Sequence, residues 1–364
     1  MGVLTDPTLT TPPEQTPAGP GSGPRTPRTL LAPAGRPHVD RTAPDAAERV
    51  AEAVREQARG VDANAPVPRL WQTLAALGRA DLCVARLTEG HIDAVRILRE
   101  AGREPVAEAI YGVWASASGG TGLRATADEQ GWRVEGTMRF CSGAWFLDRA
   151  LTVVATDQGK LLVDIDVQDP ALTRLDDTWP ALGMDASRSV DIEVRDLKVP
   201  AAAAVGEPGF YLDRPGFALG GAGVAAVWLG GAHGVLNAVL ATTHPERASA
   251  HQRAHLGAMA TAIAAADALL TQLGHEAGQA RETDEDPTAT DMTAARTAVE
   301  QAVNEVLARA PRVTGPNGLC RNGEIAHRLA DLEIYVRQHH AEADYELLGT
   351  HLLEHGTLLG RSFR

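Results

Sequence analysis

The chain has 364 residues, 44% of them apolar and 22% charged, enough to bury one large core or two to three packed subdomains. A formal charge of −13 argues against a nucleic-acid partner, because phosphate binding needs concentrated Lys and Arg. Cys83, Cys141 and Cys320 stand far apart with no CxxC pair, so neither a disulfide framework nor a thiolate metal site is expected. That cysteine usage fits a reducing compartment, with cytoplasmic the default expectation. No apolar run of about 18 residues and no charged-then-apolar leader predicts a membrane span or signal peptide.

Along the chain, residues 1–40 are rich in Pro, Thr and Gly, and 9 of the 22 prolines fall there. Such a segment buries too little apolar surface to offset its ordering entropy, which predicts a disordered tail. Residues 41–110 read as a helical domain. Val50, Val54 and Ala58 share a face, as do Leu70, Leu74 and Leu77, and Ile92, Val95, Ile97 and Leu98 mark a further helix. Residues 111–208 change to short apolar runs separated by Gly, Asp and Pro. The period-two alternation of Val190, Ile192 and Val194 predicts a small antiparallel β-domain. Residues 209–364 return to helical periodicity, with one stripe over Val299, Val303, Val306 and Leu307 and another over Ile325, Leu329, Leu332 and Val336. The acidic run Asp284-Glu285-Asp286 ended by Pro287 predicts a loop between helices. The pairs Gly220-Gly221 and Gly230-Gly231 lack any P-loop or GxGxxG context and read as points of close helix packing.

The segment Gly131–Asp148, GWRVEGTMRFCSGAWFLD, reads as two short strands broken at Gly136, followed by the small-residue loop Cys141-Ser142-Gly143-Ala144. It resembles the flavin-contacting hairpin of the acyl-CoA dehydrogenase family. Three further segments carry the resemblance in the family's order: Trp179–Ser189 with its following strand, Trp228–Gly234 on the first long helix after the β-domain, and Arg253-Ala-His-Leu-Gly257. The resemblance spans roughly residues 71–349. It implies an α+β fold with a helical N-terminal part, a small antiparallel β-domain and a C-terminal helical bundle, and it implies FAD as cofactor. Phe140 stands where an aromatic covers one flavin face, Cys141 lies beside it, and Ser142 stands where a Thr hydrogen-bonds the ring. Arg253 stands where an Arg reaches the FAD diphosphate of a neighbouring subunit, which implies a homodimer or homotetramer. The segment Trp114–Gly122 takes the place of the family's TEP-x-(A/S)GSD, with Ser116 and Thr121 as cofactor contacts, although the Glu-Pro and Asp of that motif are missing.

The family's dehydrogenases take an α-proton from an acyl thioester with a Glu while hydride passes to the flavin. The two family positions of that Glu fall here on His339 and Val224. His339 continues the stripe Ile325–Val336 at i+3, so its imidazole is the candidate base, with His340 one step round the helix. The resemblance therefore implies oxidation of the Cα–Cβ bond of an acyl-CoA or other acyl thioester, with an electron-transfer partner. The missing Glu leaves two alternatives: a flavin-dependent monooxygenase fed by a flavin reductase, or a non-catalytic flavin-binding or scaffold homologue. His351-Leu-Leu-Glu-His355 has the HxxEH spacing of some zinc peptidases but lacks a downstream ligand, and reads as a polar helix end.

Overall fold

A computed structural model describes residues 29–31, 39, 43, 45–116, 122–279 and 288–364. Three helices open it: α1 (Ala46–Gly60), α2 (Val67–Ala80) and α3 (Leu82–Glu100). Each forms on the predicted apolar stripe, and α3 is capped by Asp81, whose carboxylate accepts the N–H groups of Cys83 and Val84.

The strands β1 (Tyr111–Trp114), β2 (Leu123–Ala127), β3 (Gly131–Cys141), β4 (Arg149–Thr156), β5 (Gly159–Asp166), β6 (Leu172–Leu175), β7 (Val190–Pro200) and β8 (Ala204–Val205) form one sheet. Its order is β6-β7-β3-β2-β4-β5-β8, with β1 also on β4. Most pairings are antiparallel, as expected, but β4 runs parallel to both β1 and β2, so the sheet is mixed. The segment expected as two strands is a single strand, β3. Gly136 does not end it; the register against β7 slips there, at φ +131°. A Cβ at Gly136 would lie 2.3 Å from the Gly122 carbonyl oxygen, so only glycine admits the crossing β2 backbone.

The helices α4 (Phe210–Asp213), α5 (Phe217–Thr242), α6 (Ala250–Gln279), α7 (Ala289–Arg321), α8 (Gly323–Tyr335) and α9 (Glu342–His355) follow, with a terminal hairpin β9 (Thr357–Leu358) and β10 (Arg361–Ser362). Helix α5 is the axis of the bundle, packed against α2, α6, α7 and α8. It carries no charged side chain and, like α6, is long and apolar enough to cross a membrane, contrary to the expectation from apolar runs. Its most apolar window is 67% buried inside the bundle, which is how a core helix meets the same test.

Within the segment expected to be disordered, Thr29–Leu31 is docked. Leu30 is fully buried, and Asp267 on α6 accepts hydrogen bonds from the Leu30 N–H at 2.9 Å and the Thr29 hydroxyl at 2.5 Å. One buried Leu and one buried carboxylate overcome the local composition. Most of the expected loop at 280–290 lies outside the described residues; α7 begins at Ala289 behind a Thr288–Asp291 capping box.

Candidate flavin site

The loop after β3 is built on a bulge. Register slips between Met138 and Cys141, and Phe140 takes φ +57°, a conformation that costs an aromatic residue of order 1 kcal/mol. The strain turns its ring out of the sheet: Phe140 is 47% exposed and meets Trp179 edge-on at 6.4 Å. It is therefore no strand core residue, and it offers a ring face to a flat ligand. Cys141 points the other way. It is fully buried, and burial pushes its thiol far above the usual range, so only its backbone can meet a ligand.

Ser142 follows on the tight turn. Its carbonyl accepts the Trp114 indole N–H at 3.0 Å, and the Gly143 N–H donates to the Ser187 carbonyl at 2.7 Å. Gly143 has φ +75°, and a Cβ there would lie 2.8 Å from Leu147 and 2.9 Å from Leu87 of α3. The loop thus needs glycine both for its backbone and for its fit against the helix. The Ser142 hydroxyl lies 2.8 Å from Ser189 Oγ, which lies 2.8 Å from Ser187 Oγ. Ser116 lies exposed just past β1, and Thr121 falls outside the described residues.

His339 departs from its expected helix. Helix α8 ends at Tyr335, a 3₁₀ turn covers Val336–Gln338, and His339 is extended beyond it, because the chain turns there toward α9. Its side chain is nonetheless buried between α7 and α9. The Ala341 N–H donates to Nδ1 at 3.1 Å, so Nδ1 is the bare nitrogen and the proton sits on Nε2. The Thr297 hydroxyl, which donates to the Thr293 carbonyl, accepts from that Nε2 at 3.0 Å. Burial lowers the pKa of His339, with Asp344 opposing, so the ring is neutral at pH 7. Both nitrogens are committed within the fold, which leaves no lone pair for a substrate proton. His340, the fallback, is solvent-facing and paired with Asp344 at 3.4 Å.

Arg253 is exposed and donates to the Pro245 carbonyl at 3.1 Å. The nearby concavity belongs to its neighbours: a cleft of about 340 Å³ lined by His244, Arg247, Gln252, Thr314, Asn317 and Asn322, among others. One wall is a break inside α7. Gly315 adopts φ +59° and ψ −162°, which only glycine takes readily, and Pro316 follows it. Gln252 closes the wall by donating to the Val313 carbonyl at 2.8 Å. Arg247 lines this cleft and Arg253 does not. The signal that could have found it was the Gly315-Pro316 pair, a helix breaker inside an otherwise helical pattern.

A second polar cluster escaped the sequence reading. On α3, Glu89 is paired with Arg86 at 2.9 Å, with Tyr335 and Asp93 nearby, and Arg296 lies 4.8 Å over the Trp228 ring. Burial pushes the Glu89 carboxyl up to about 7, with Arg86 holding it back. Arg214, buried, spans Asp93 and Glu100 at 3.2 Å each. This cluster faces the α5–α8 side of α3. Leu87 and His91, which meet the Gly143 loop and the Tyr111 N–H, occupy the opposite side. Glu89 is therefore not directed at Ser142. The His351–Glu354–His355 group forms the polar end of α9, its two imidazoles 4.4 Å apart.

No protein-family model matches the sequence, and no curated protein matches it. Solved structures do. Dibenzothiophene monooxygenase (TdsC) from Paenibacillus sp. A11-2 superposes with a TM-score of 0.70 at 17% identity, over 87% of this chain and 97% of that one. XiaF from Streptomyces sp., solved in complex with FADH2 and glycerol, gives 0.69 at 18% identity, over 85% and 88%. Butyryl-CoA dehydrogenase from Megasphaera elsdenii gives 0.67 at 19% identity, over 85% and 90%. The helices, sheet and bundle expected from the resemblance are present in the expected order, and the chain has the acyl-CoA dehydrogenase fold.

Proposed function

We propose that this chain is an FAD-dependent oxidoreductase of the monooxygenase type, receiving its electrons as reduced flavin from a separate flavin reductase. The observation that carries the reading is the state of His339: at one family position of the base, the imidazole has both nitrogens committed, and the other position holds Val224. Proton abstraction from an acyl thioester needs an available base at the reacting carbon, and neither position provides one. A monooxygenase on this fold, such as the dibenzothiophene enzyme, is the reading that fits.

The residues fit a flavin. Phe140 presents a ring face, Ser142 a hydroxyl, Gly143 a backbone without a side chain, and Arg247 a guanidinium able to grip two phosphate oxygens. When bound, reduced flavin supplies the electrons that activate molecular oxygen. The chain's own part is to orient the ring against Phe140, meet its edge with Ser142 and hold the diphosphate in the α6–α7 cleft. The expected assembly is a homodimer or homotetramer in which the cleft of one subunit serves the cofactor of another, the same cross-subunit arrangement that the resemblance implies through Arg253.

Two measurements test this. Mixed with photoreduced FAD and then oxygen, the protein is expected to give an oxygen-dependent flavin absorbance transient distinct from free flavin. Anaerobic bleaching of bound oxidised FAD by acyl-CoA thioesters would instead establish the dehydrogenase, and protein that takes up neither form of FAD would establish the scaffold. Replacing Arg247 by Ala is expected to weaken FAD at least about tenfold, the loss of a charge-assisted phosphate contact, while Arg253→Ala leaves affinity nearly unchanged. Equal losses for the two variants would refute the assignment of the cleft.

A further inference from the structure

The three hydroxyls behind the Phe140 loop have a fixed polarity. Ser187 Oγ lies 2.6 Å from the Met184 carbonyl oxygen, a contact that two oxygens tolerate only with a proton between them. A carbonyl has no proton to give, so Ser187 donates its single one. Ser189 Oγ, 2.8 Å away, must then donate to Ser187, and Ser142 Oγ, a further 2.8 Å on, must donate to Ser189. All three residues are buried, at 1%, 5% and 8% exposure, so water does not readily reset the order. The anchor is itself held: Met184 sits at φ +56°, its N–H donates to Asp331 at 2.6 Å, and its carbonyl also accepts from the Ser187 N–H and the Trp179 indole. Ser142 therefore spends its proton inward and offers a ligand only lone pairs.

Flavin chemistry gives this polarity a consequence. The ring nitrogen N5 is a bare acceptor in the oxidised ring and an N–H donor in the reduced ring. We propose that Ser187 and Ser189 are positioning residues that make Ser142 an acceptor-only contact, so that the site selects reduced over oxidised flavin. The inference rests on the flavin reading above and deepens it, because a monooxygenase served by a separate reductase must capture the reduced form from solution. An oxidised ring brought to the same place would set two acceptors face to face.

The test is the ratio of dissociation constants for oxidised and dithionite-reduced FAD, measured anaerobically on the full-length protein. Wild type is expected to bind reduced FAD about three- to tenfold more tightly, the range of one neutral hydrogen bond. Ser189→Ala leaves the Ser142 proton without an inward acceptor and is expected to bring the ratio close to one. Ser189→Thr, which keeps the hydroxyl, is expected to restore it. Ser187→Ala gives an independent second reading, since it lets Ser189 reverse, and it too is expected to lower the ratio. A purely structural loss would weaken both forms together and leave the ratio alone. A wild-type ratio near one, as contact with an N–H present in both redox states would give, overturns the proposal, as does a ratio indifferent to Ser189→Ala. Failure of both forms to bind overturns the flavin reading itself, a result distinguishable from tight binding without preference.

Discussion

Glu89 shows how burial alone changes what a residue does. Its carboxyl is raised from 4.5 to about 7, chiefly by desolvation. The unfolded chain releases that proton at lower pH than the folded one, so this group's contribution is fully present below pH 4.5. It is lost as pH rises toward 7, to an extent of up to roughly 3 kcal/mol. Urea unfolding of wild type and Glu89→Gln between pH 4.5 and 8 is expected to show a wild-type stability that falls relative to the variant across that window; parallel profiles would contradict it. His91 acts in the opposite sense. Burial lowers it to about 4, so its contribution is present above pH 6.5 and fades as pH falls through 4, and His91→Gln is expected to flatten the acid limb of the same profile. Among the residues read from sequence, the placement of Phe140 and Ser142 at the end of a strand and on a small-residue turn was legible because the pattern is local; the bulge that turns Phe140 outward was not. Arg247, Glu89 and the commitment of His339 were not, since each depends on groups far away in the chain: the α7 break, the α3–α8 seam and Thr297.

Helix α5 meets α2 through glycines on both sides. A Cβ at Gly78 would lie 2.2 Å from the Val227 carbonyl oxygen, and one at Gly230 would lie 2.0 Å from that of Ala75. Backbone meets backbone at these points, with no flexible side chain to give way. Gly230→Ala is therefore expected to cost at least about 3 kcal/mol in chemical denaturation, whereas Gly257→Ala, with open space around it on α6, is expected to be neutral or slightly stabilising. The Gly230-Gly231 pair was readable as a packing point, its partners only from the fold, whereas Gly220-Gly221, also expected to pack closely, faces the charged ends of Asp93 and Arg296 instead of a helix backbone. The alternation over Val190, Ile192 and Val194 that defined β7 was equally readable, because all three are buried; the strand's buried face continues, one step out of phase, on Leu197 and Val199. The break in α7 was obscured by the helical pattern on both sides of it. Gly315→Ala meets no neighbour, so its expected cost of about 1–3 kcal/mol comes from the backbone conformation alone. That cost would appear as a lowered urea midpoint together with weakened FAD binding.

At the scale of the molecule, order of elements was what the sequence conveyed best, since helical and strand periods change at 111 and again near 209. Long-range docking was what it conveyed least. Composition marks residues 1–40 as unable to form a core, yet Leu30 joins one built by α6. Leu30→Ala is expected to lower unfolding free energy by about 2–5 kcal/mol, a core-sized effect from a segment that by composition would contribute nothing.

Helix α8 joins the cleft proposed to serve the other subunit's cofactor to the support of this subunit's own serine hydroxyls. Asn322, lining the cleft, caps its first turn through the Ile325 N–H, and Asp331, near its last turn, grips the Met184 N–H behind the serine hydroxyls. A helix advances 1.5 Å per residue, so these nine steps hold cap and grip about 14 Å apart. The helix is thus a ruler of fixed gauge. Shortening it by a single residue would rotate Asp331 by about 100° off Met184 and so release the proton order of the hydroxyls without altering any group that meets a ligand.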